Sequence, residues 1–467
     1  MNPITYLTQH SEIVLYHGLL ALSGAVVLGV LLHLLYQRRS SSAIIAWLLS
    51  IFMLPYVALP LYLIIGIRKR KNRYKKESIL LNSAKKQNSA QNALDKLLRN
   101  YSVSDAAPNV CVELFFDASQ AYAALMRSIE NAQKSICISI YILRYDAIGK
   151  SVMDALAKKA KEGVKVRLLM DSLGSLPLYL LQYRLKKLRD SGAEVEFFMP
   201  IFEMPFRNYI NLRNHRKIYI FDDEKVISGG ANISKKYFAA KRSKNEWEDI
   251  MFLIEGESVE DFFDIFASDW LYASGKKLEF DAPKEIKKAD IYAQIVPSGP
   301  DMQRDALYEA LLSAIYGAQE KIYITTPYFI PNETLVQALI IAKHRGVDVR
   351  LITPKGANHA IINLVRSSYM RELEEAGVKI YLYEKAMLHA KAIIFDEQSV
   401  MLGSVNFDNR SLFLNYEVAT FIYSSKIIAQ MLEWSQMLID NSSTGTKNAS
   451  QAKRVFENLL RIFAPQL

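Results

Sequence analysis

Asn214-His215-Arg216-Lys217-Ile218-Tyr219-Ile220-Phe221-Asp222, followed by Gly229-Gly230-Ala231-Asn232, decides how this chain is to be read. The pattern returns as Leu388-His389-Ala390-Lys391-Ala392-Ile393-Ile394-Phe395-Asp396, then Gly403-Ser404-Val405-Asn406. In both copies Lys follows His by two residues, Asp follows five later, Gly seven later and Asn three beyond that. Each His-x-Lys leads into an Ile-, Phe- and Tyr-rich run, which predicts a buried strand. On a strand, residues two apart share a face, so His215 and Lys217 point one way together, as do His389 and Lys391. An imidazole beside an ammonium suits a phosphate oxyanion next to a nucleophile or a proton donor. A single polar pair at the end of an apolar strand is ordinary; two copies with every spacing kept are not.

Moving outward, landmarks of a larger repeat surround the motifs. Glu162-Gly163-Val164-Lys165-Val166-Arg167-Leu168 matches Arg345-Gly346-Val347-Asp348-Val349-Arg350-Leu351, and Ser191-Gly192-Ala193-Glu194-Val195 matches Ala376-Gly377-Val378-Lys379-Ile380. The offsets run from 174 to 185 residues, too long for a solenoid and right for a duplicated domain. Ser135–Leu143, Gly149–Gly163 and Val164–Asp171 read as strand, helix, strand, and the order recurs over Ile322–Tyr328, Glu333–Gly346 and Val347–Thr353. The join falls near Asp281–Asp290, ahead of a strand at Ile291–Val296.

This doubled pattern resembles the phospholipase D superfamily, in which paired His-Lys-Asp motifs meet at one site. The likeness narrows to bacterial cardiolipin synthases through Thr326-Pro327-Tyr328-Phe329-Ile330-Pro331, Asn406-Phe407-Asp408-Asn409-Arg410-Ser411, Asn415-Tyr416-Glu417 and the ending Leu459-Leu460-Arg461-Ile462-Phe463-Ala464-Pro465. It covers about residues 40 to 467, and includes Leu54-Pro55-Tyr56 and Leu61-Tyr62 in an apolar amino-terminal part. Two departures leave the choice of lipid pair open: Ser234-Lys235-Lys236 stand where the family has Gly and acidic residues, and Asn358 where it often has Asp.

The resemblance implies an α/β fold, an amino-terminal two-helix membrane hairpin followed by two tandem phospholipase D-like lobes with pseudo-twofold symmetry. The expected divisions are 1–76 hairpin with basic flank, 77–109 linker with a short helix, 110–285 first lobe and 286–467 second lobe. It also implies phosphatidyl transfer, with His215 as nucleophile and His389 as general acid and base, the reverse being open from sequence. Lys217, Lys391, Asn232 and Asn406 would hold the phosphate oxygens. Asp222 and Asp396, an odd number of residues past their lysines, would face away and anchor structure. Asp249, in Trp247-Glu248-Asp249, and Glu417 are candidates to orient the imidazoles.

Composition agrees with a lipid-facing enzyme without selecting it. A formal charge of +10 favours an anionic partner: nucleic acid, anionic lipid or a phosphorylated small molecule. Cys111 and Cys137 sit in apolar runs and form no disulfide framework, and the seven histidines lack metal-ligand spacing, so metal- and cofactor-free chemistry is expected. Ile13–Leu35 is apolar and uncharged, long enough for a bilayer core of about 30 Å. Ser40–Ile67 is a second uncharged stretch, bent or partly re-entrant because it holds Pro55 and Pro60. Arg38 and Arg39 between them, against Arg68, Lys69, Arg70, Lys71, Arg73, Lys75 and Lys76 after them, place the body in the cytoplasm at the inner membrane. The basic run also suits anionic headgroups.

Residues 176–210 are apolar and aromatic; core packing explains them, or a hydrophobic lip that admits acyl chains. The expected partners are phosphatidylglycerol and membrane lipid, with no nucleic acid and no obligatory protein. Rival functions are a hydrolytic phospholipase D, a nucleic-acid phosphodiesterase, against which the two apolar spans argue, and a membrane scaffold with a dead site.

Overall fold

The computed structural model describes residues 3–36, 41–65, 76, 79, 81, 92–101, 103–202, 211–239, 247–282, 289–302, 304–356, 360–446, 448–461 and 464. The chain divides into two compact units, Met1–Arg68 and Lys69–Leu467.

In the first unit, α1 (Pro3–Tyr36) includes Val14–Tyr36, long and apolar enough to cross a membrane. The second apolar stretch breaks at Leu54 into α2 (Ser41–Met53) and α3 (Pro55–Ile65). The break falls at Pro55, which has no N–H to continue the helical ladder and opens a new first turn; Pro60, also expected to kink the stretch, lies inside α3. Val30 and Leu34 of α1 pack against Ile51, Ala58 and Tyr62, and His33 Nδ1 meets the Tyr62 hydroxyl at 2.5 Å.

The second unit opens with α4 (Ala93–Arg99), capped by Asn92, whose side chain accepts from Asp95 N. This helix is more than a spacer. Leu94 and Leu98 enter the second lobe's core, and buried Asp95 pairs with Arg99. Ala93, expected on the same face, is exposed.

The first lobe contributes β1 (Ala107–Phe115), α5 (Ala118–Asn131), β2 (Ser135–Ile140), α6 (Ala147–Lys161), β3 (Lys165–Asp171), the short α7 (Leu176–Leu180) and α8 (Lys186–Asp190), and β4 (Glu194–Phe198). It continues through β5 (Ile218–Phe221), β6 (Lys225–Gly229), β7 (Met251–Gly256) and α9 (Ser258–Ser274). The second contributes β8 (Ile291–Ser298), α10 (Ala306–Gly317), β9 (Lys321–Thr325), β10 (Phe329–Ile330), α11 (Glu333–His344), β11 (Asp348–Pro354), α12 (Ala360–Glu375) and β12 (Lys379–Tyr383). After these come β13 (Ala392–Phe395), β14 (Ser399–Gly403), β15 (Phe407–Asp408), α13 (Asn409–Phe413), β16 (Glu417–Tyr423), α14 (Ser425–Asp440), β17 (Ser442–Thr444) and α15 (Gln451–Leu460).

Strand order shows the duplication directly. Reading outward from the middle, the first half runs β1-β7-β6-β5-β2-β3-β4 and the second β8-β16-β14-β13-β9-β11-β12, the same topology twice. The halves join where β1 pairs antiparallel with β8, Ala107 opposite Ala293. The result is one continuous mixed sheet with a pseudo-twofold relation at its centre. On one face α9 and α14 share a core that crosses the join, with Phe266, Trp270, Met431 and Trp434 packed among strands of both lobes. Separate cores lie under α5 and α6 in the first lobe and under α10, α11 and α12 in the second.

Core packing accounts for part of the apolar stretch at 176–210. Leu178, Leu185, Leu188, Phe198 and Met199 are core, whereas Leu180, Leu181, Tyr183 and Phe202 are exposed. Met204, Pro205, Phe206 and Tyr209 lie outside the described residues, as does Asn358. Cys137 is buried, which pushes its thiol up to about 12, and Cys111 is half-buried; both are free.

Candidate active site

The two His-x-Lys pairs do not lie in their strands. Strand β5 begins at Ile218 and β13 at Ala392, one residue after each lysine. The cause is a preference for the opposite lobe. His215 N donates to Tyr416 O at 2.8 Å while Tyr416 N donates to Arg213 O at 2.9 Å. The second copy repeats this: His389 N donates to Glu248 O at 2.7 Å, and Glu248 N to Met387 O at 2.9 Å. Each histidine segment is thereby clasped to the residue that precedes the other lobe's carboxylate.

The carboxylates pair crosswise. His215 Nδ1 lies 3.0 Å from Glu417 Oε1 and 3.1 Å from Oε2. His389 Nδ1 lies 2.7 Å from Asp249 Oδ2. Glu417 is itself held by the Ser404 hydroxyl at 2.5 Å and Asn415 Nδ2 at 3.3 Å. A carboxylate on Nδ1 fixes which ring nitrogen faces the cleft and steadies the imidazolium. The aromatic Tyr141 packs edge-on against His215 at 4.8 Å; Tyr237 and Trp247 pack against His389 at 5.0 and 5.2 Å.

Lys217 Nζ donates to His215 O at 2.7 Å; Lys391 Nζ donates to His389 O and lies 2.8 Å from its Nδ1. Burial pushes Lys217 down to about 7 and Lys391 to about 8, with Glu417 and Asp249 respectively working against it. Burial also lowers His215, with Glu417 opposing, and takes His389 down to about 3, the Lys391 ammonium adding to it. Glu417 and Asp249 are held below the ordinary carboxylate range, burial opposing; His215 and Lys217 outweigh it at Glu417, and Lys391 and His389 at Asp249. Each imidazole also feels the lysine of the opposite motif, Lys391 at His215 and Lys217 at His389, so the four groups share one electrostatic environment. Burial thus disfavours the charged form of both rings, and an arriving anion would favour it.

Asn232 and Asn406 are buried at the ends of their motifs. Asn232 Oδ1 accepts from Ile142 N at 3.1 Å, and its side chain bonds to the Tyr237 hydroxyl. Asn406 Oδ1 meets no donor among the described residues. Asp222 and Asp396 stand apart from the cleft. Asp222 accepts from the N–H groups of Gln133, Lys134 and Ser135, and Asp396 from Gln319, Glu320 and Lys321. Both sit in the left-handed region, φ 56° and 50°, where a short carboxylate can serve as a turn residue. They tie the start of β2 and β9 to the ends of β5 and β13.

The motif glycines have an equally local cause. Gly229 and Gly403 have φ of 146° and 149°, and an added Cβ would stand 2.4 Å from Ile250 O or 2.3 Å from Val418 O. Only glycine lets these strand ends approach the segments that carry Asp249 and Glu417.

Several contributors escaped the sequence reading. Asp171, at the end of β3, accepts from Asn214 N at 2.9 Å and pairs with Arg213 at 3.3 Å. Arg216, between His215 and Lys217, is fully buried against Asp269 at 2.7 Å and Asp301 at 3.2 Å, and donates to Glu417 O at 3.1 Å. Lys76 completes this cluster, 2.8 Å from Asp269 and in contact with Asp301, its side chain 2% exposed. The sequence reading placed Lys76 with the headgroup-facing cations; its burial removes it from them. The signal for Arg216 was in plain view, since the other motif has Ala390 at that position.

Two half-sites, each completed by the other lobe, on a twice-repeated α/β unit define a phosphatidyltransferase of the phospholipase D superfamily. Comparisons bear on the particular kind. A family model described as "Cardiolipin synthase, PLD-like domain" matches residues 125–270 and 311–439, and one described as "Phospholipase_D-nuclease N-terminal" matches 25–66. The chain is 32% identical to a cardiolipin synthase of Clostridium perfringens over 92% of its own length and 95% of the relative's. It is 31% identical to cardiolipin synthase 1 of Bacillus cereus, covering 99% of this chain and 97% of that one. The crystal structure of phosphatidylserine synthase from Haemophilus influenzae superposes with a TM-score of 0.62 at 16% identity, over 80% of this chain and all of that one, and so shares the fold. The chain belongs to the cardiolipin synthase family of phospholipase D-like enzymes.

Proposed function

We propose that the enzyme is a membrane-bound cardiolipin synthase that converts two phosphatidylglycerols to cardiolipin and free glycerol through a phosphohistidine. The crossed His215–Glu417 and His389–Asp249 pairs support this reading, because each lobe's imidazole is oriented by a carboxylate of the other lobe. His215, the more accessible ring at 12% against 5%, attacks phosphorus. The P–O bond to glycerol breaks, and the leaving oxygen takes a proton from His389. The second phosphatidylglycerol's hydroxyl then gives its proton to His389 and attacks the phosphohistidine, which releases His215. Lys217, Lys391, Asn232 and Asn406 hold the non-bridging oxygens as charge accumulates. The two imidazoles titrate as a pair, and the incoming phosphate charges the acid partner.

The organisation we propose is an amino-terminal membrane hairpin within 1–68, followed by a catalytic body on the cytoplasmic side that already includes Lys76 and α4. The purified full chain, given phosphatidylglycerol in detergent micelles, should yield cardiolipin and glycerol by mass spectrometry. Phosphatidic acid as the sole lipid product would instead mean a hydrolase. His215→Ala and His389→Ala should each lower turnover by about 10^4-fold or more. Near-normal activity in either removes the shared site.

A further inference from the structure

Helix α15 is docked the wrong way round for a soluble protein. In an amphipathic helix at a protein surface the apolar stripe faces the core and the charged stripe faces water. Here the protein binds the polar stripe. Buried Glu457 pairs with Arg371 of α12, Asn458 accepts from the Ser368 hydroxyl at 2.5 Å, and Arg454 meets Glu375 at 3.2 Å. Just past the helix, Arg461 meets Glu372 at 2.7 Å and lies over the Tyr369 ring. Of its large apolar residues Leu460 alone packs against the core; Val455, Phe456 and Leu459 face outward, 69%, 51% and 56% exposed. Val455 and Leu459 are one turn apart and Phe456 adjoins them, so the three form a single ridge.

We propose that this ridge enters the interfacial layer of an anionic bilayer, so that α15 is a second membrane contact of the enzyme, built into the second lobe. Three observations favour lipid as the occupant. Lys453, about half exposed (49%), stands two residues before the ridge and would meet headgroup phosphates. The chain carries a net +10, which suits an anionic surface. The helix is also tied to the site: Asn409, three residues past Asn406, donates to Ala464 O at 3.3 Å beyond the end of α15. Ion pairs hold the helix from behind, so insertion needs no rearrangement of the fold. The inference rests on the membrane-bound reading above, and its test reads the helix rather than turnover.

The full chain is prepared with Cys111→Ser and Val455→Cys, labelled with an environment-sensitive nitrobenzoxadiazole probe, and reconstituted into phosphatidylglycerol–phosphatidylcholine vesicles. Cys137 is buried and stays unlabelled. Emission should shift to shorter wavelength relative to detergent-free denatured protein, and brominated acyl chains should quench it more than aqueous iodide does. In parallel, a Val455→Ser, Phe456→Ser, Leu459→Ser variant should keep its kcat in detergent micelles while its KM for vesicle lipid rises several-fold. Iodide quenching with no effect of bromolipid overturns the proposal. So does a probe shielded from both quenchers, with efficient crosslinking between copies through the thiol introduced by Val455→Cys, which would assign the ridge to a chain–chain contact. A preparation that makes cardiolipin with its probe in water sinks only the helix assignment.

Discussion

The two half-sites share a skeleton and differ in what stands behind it. Behind His215 the chain places charge: Arg216, Asp269, Asp301 and Lys76 form a buried, neutral foursome, and Glu417 is steadied by Ser404. Behind His389 it places apolar bulk. Ala390 replaces Arg216, and Leu388 and Ala392 join the shared core. Gly230 replaces Ser404, for a steric reason: a Cβ there would stand 2.2 Å from Asp249 Oδ1. The shorter carboxylate comes close and needs room, whereas the longer one reaches from farther back and needs a hydroxyl to hold it. Equal geometry at the imidazoles is therefore reached by unequal means. Buried ion pairs confer little net stability when intact but cost several kcal/mol when one partner is lost, so the first half-site is the more fragile.

The largest effects should come from the carboxylates. Glu417→Gln and Asp249→Asn should each lower kcat by about 10^3- to 10^4-fold with little change in KM, as when a triad carboxylate loses its charge. Stopped-flow detection of the glycerol burst would separate them: Glu417→Gln should slow the burst through His215. An equal slowing in both variants would erase the proposed division of labour.

Next come the lysines. Lys217→Met and Lys391→Met should lower kcat by about 10^2- to 10^3-fold. Yet Lys217→Met should melt higher than the parent at pH 6. The sign follows from linkage: folding lowers Lys217 from 10.5 to about 7, so the unfolded chain holds more protons between those values. Its penalty on stability is full below about pH 7 and fades as pH rises toward 10.5. At about 1.4 kcal/mol per pH unit the gain at pH 6 amounts to several kcal/mol, and calorimetry at pH 6 and 10 should show it shrink.

The same values govern capture of an anionic lipid by the free enzyme. kcat/KM should fall as pH rises through about 7 to 8, as Lys217 and then Lys391 lose their protons. The matching limb of kcat should lie at higher pH, because bound phosphate favours the ammonium. A pH–rate profile in which both parameters break together would contradict this.

The smallest effects sharpen the contrast between the backings. Lys76→Met leaves a buried carboxylate charge uncompensated and should cost about 3–5 kcal/mol in urea unfolding, with a further loss of kcat but not of lipid binding. Ser404→Ala should cost about 1.5–3 kcal/mol of stability, as a lost bond to a charged group does. Gly230→Ala should be the worse of the two small substitutions for activity, since it displaces Asp249.

Much of this was legible along the chain, and the reason is periodicity. A strand and a helix each repeat every few residues, so β2, α6 and β3 and their counterparts β9, α11 and β11 could be read from local pattern and matched across the duplication. Asp222 and Asp396 hold turn amides, as structural anchors would, although the parity count assumed a regular strand that neither they nor their lysines occupy. Two carboxylates, Asp249 and Glu417, could be nominated as orienting groups. What local pattern could not supply was their pairing. That each carboxylate serves the other lobe's histidine depends on hydrogen bonds spanning 140 and 202 residues of chain. The same limit hid Lys76, whose partners lie about two hundred residues on; in sequence it was one cation in a basic run, and only the folded chain buries it between Asp269 and Asp301. It also hid that His215 and Lys217 stand just ahead of their strand, with the His215 backbone bonded to Tyr416 of the opposite lobe. Neighbours within a few residues suffice to specify the elements, the duplication and the chemical inventory. Which groups face one another was left to packing, because a contact between distant segments is set by how two surfaces meet and leaves no periodic trace in either.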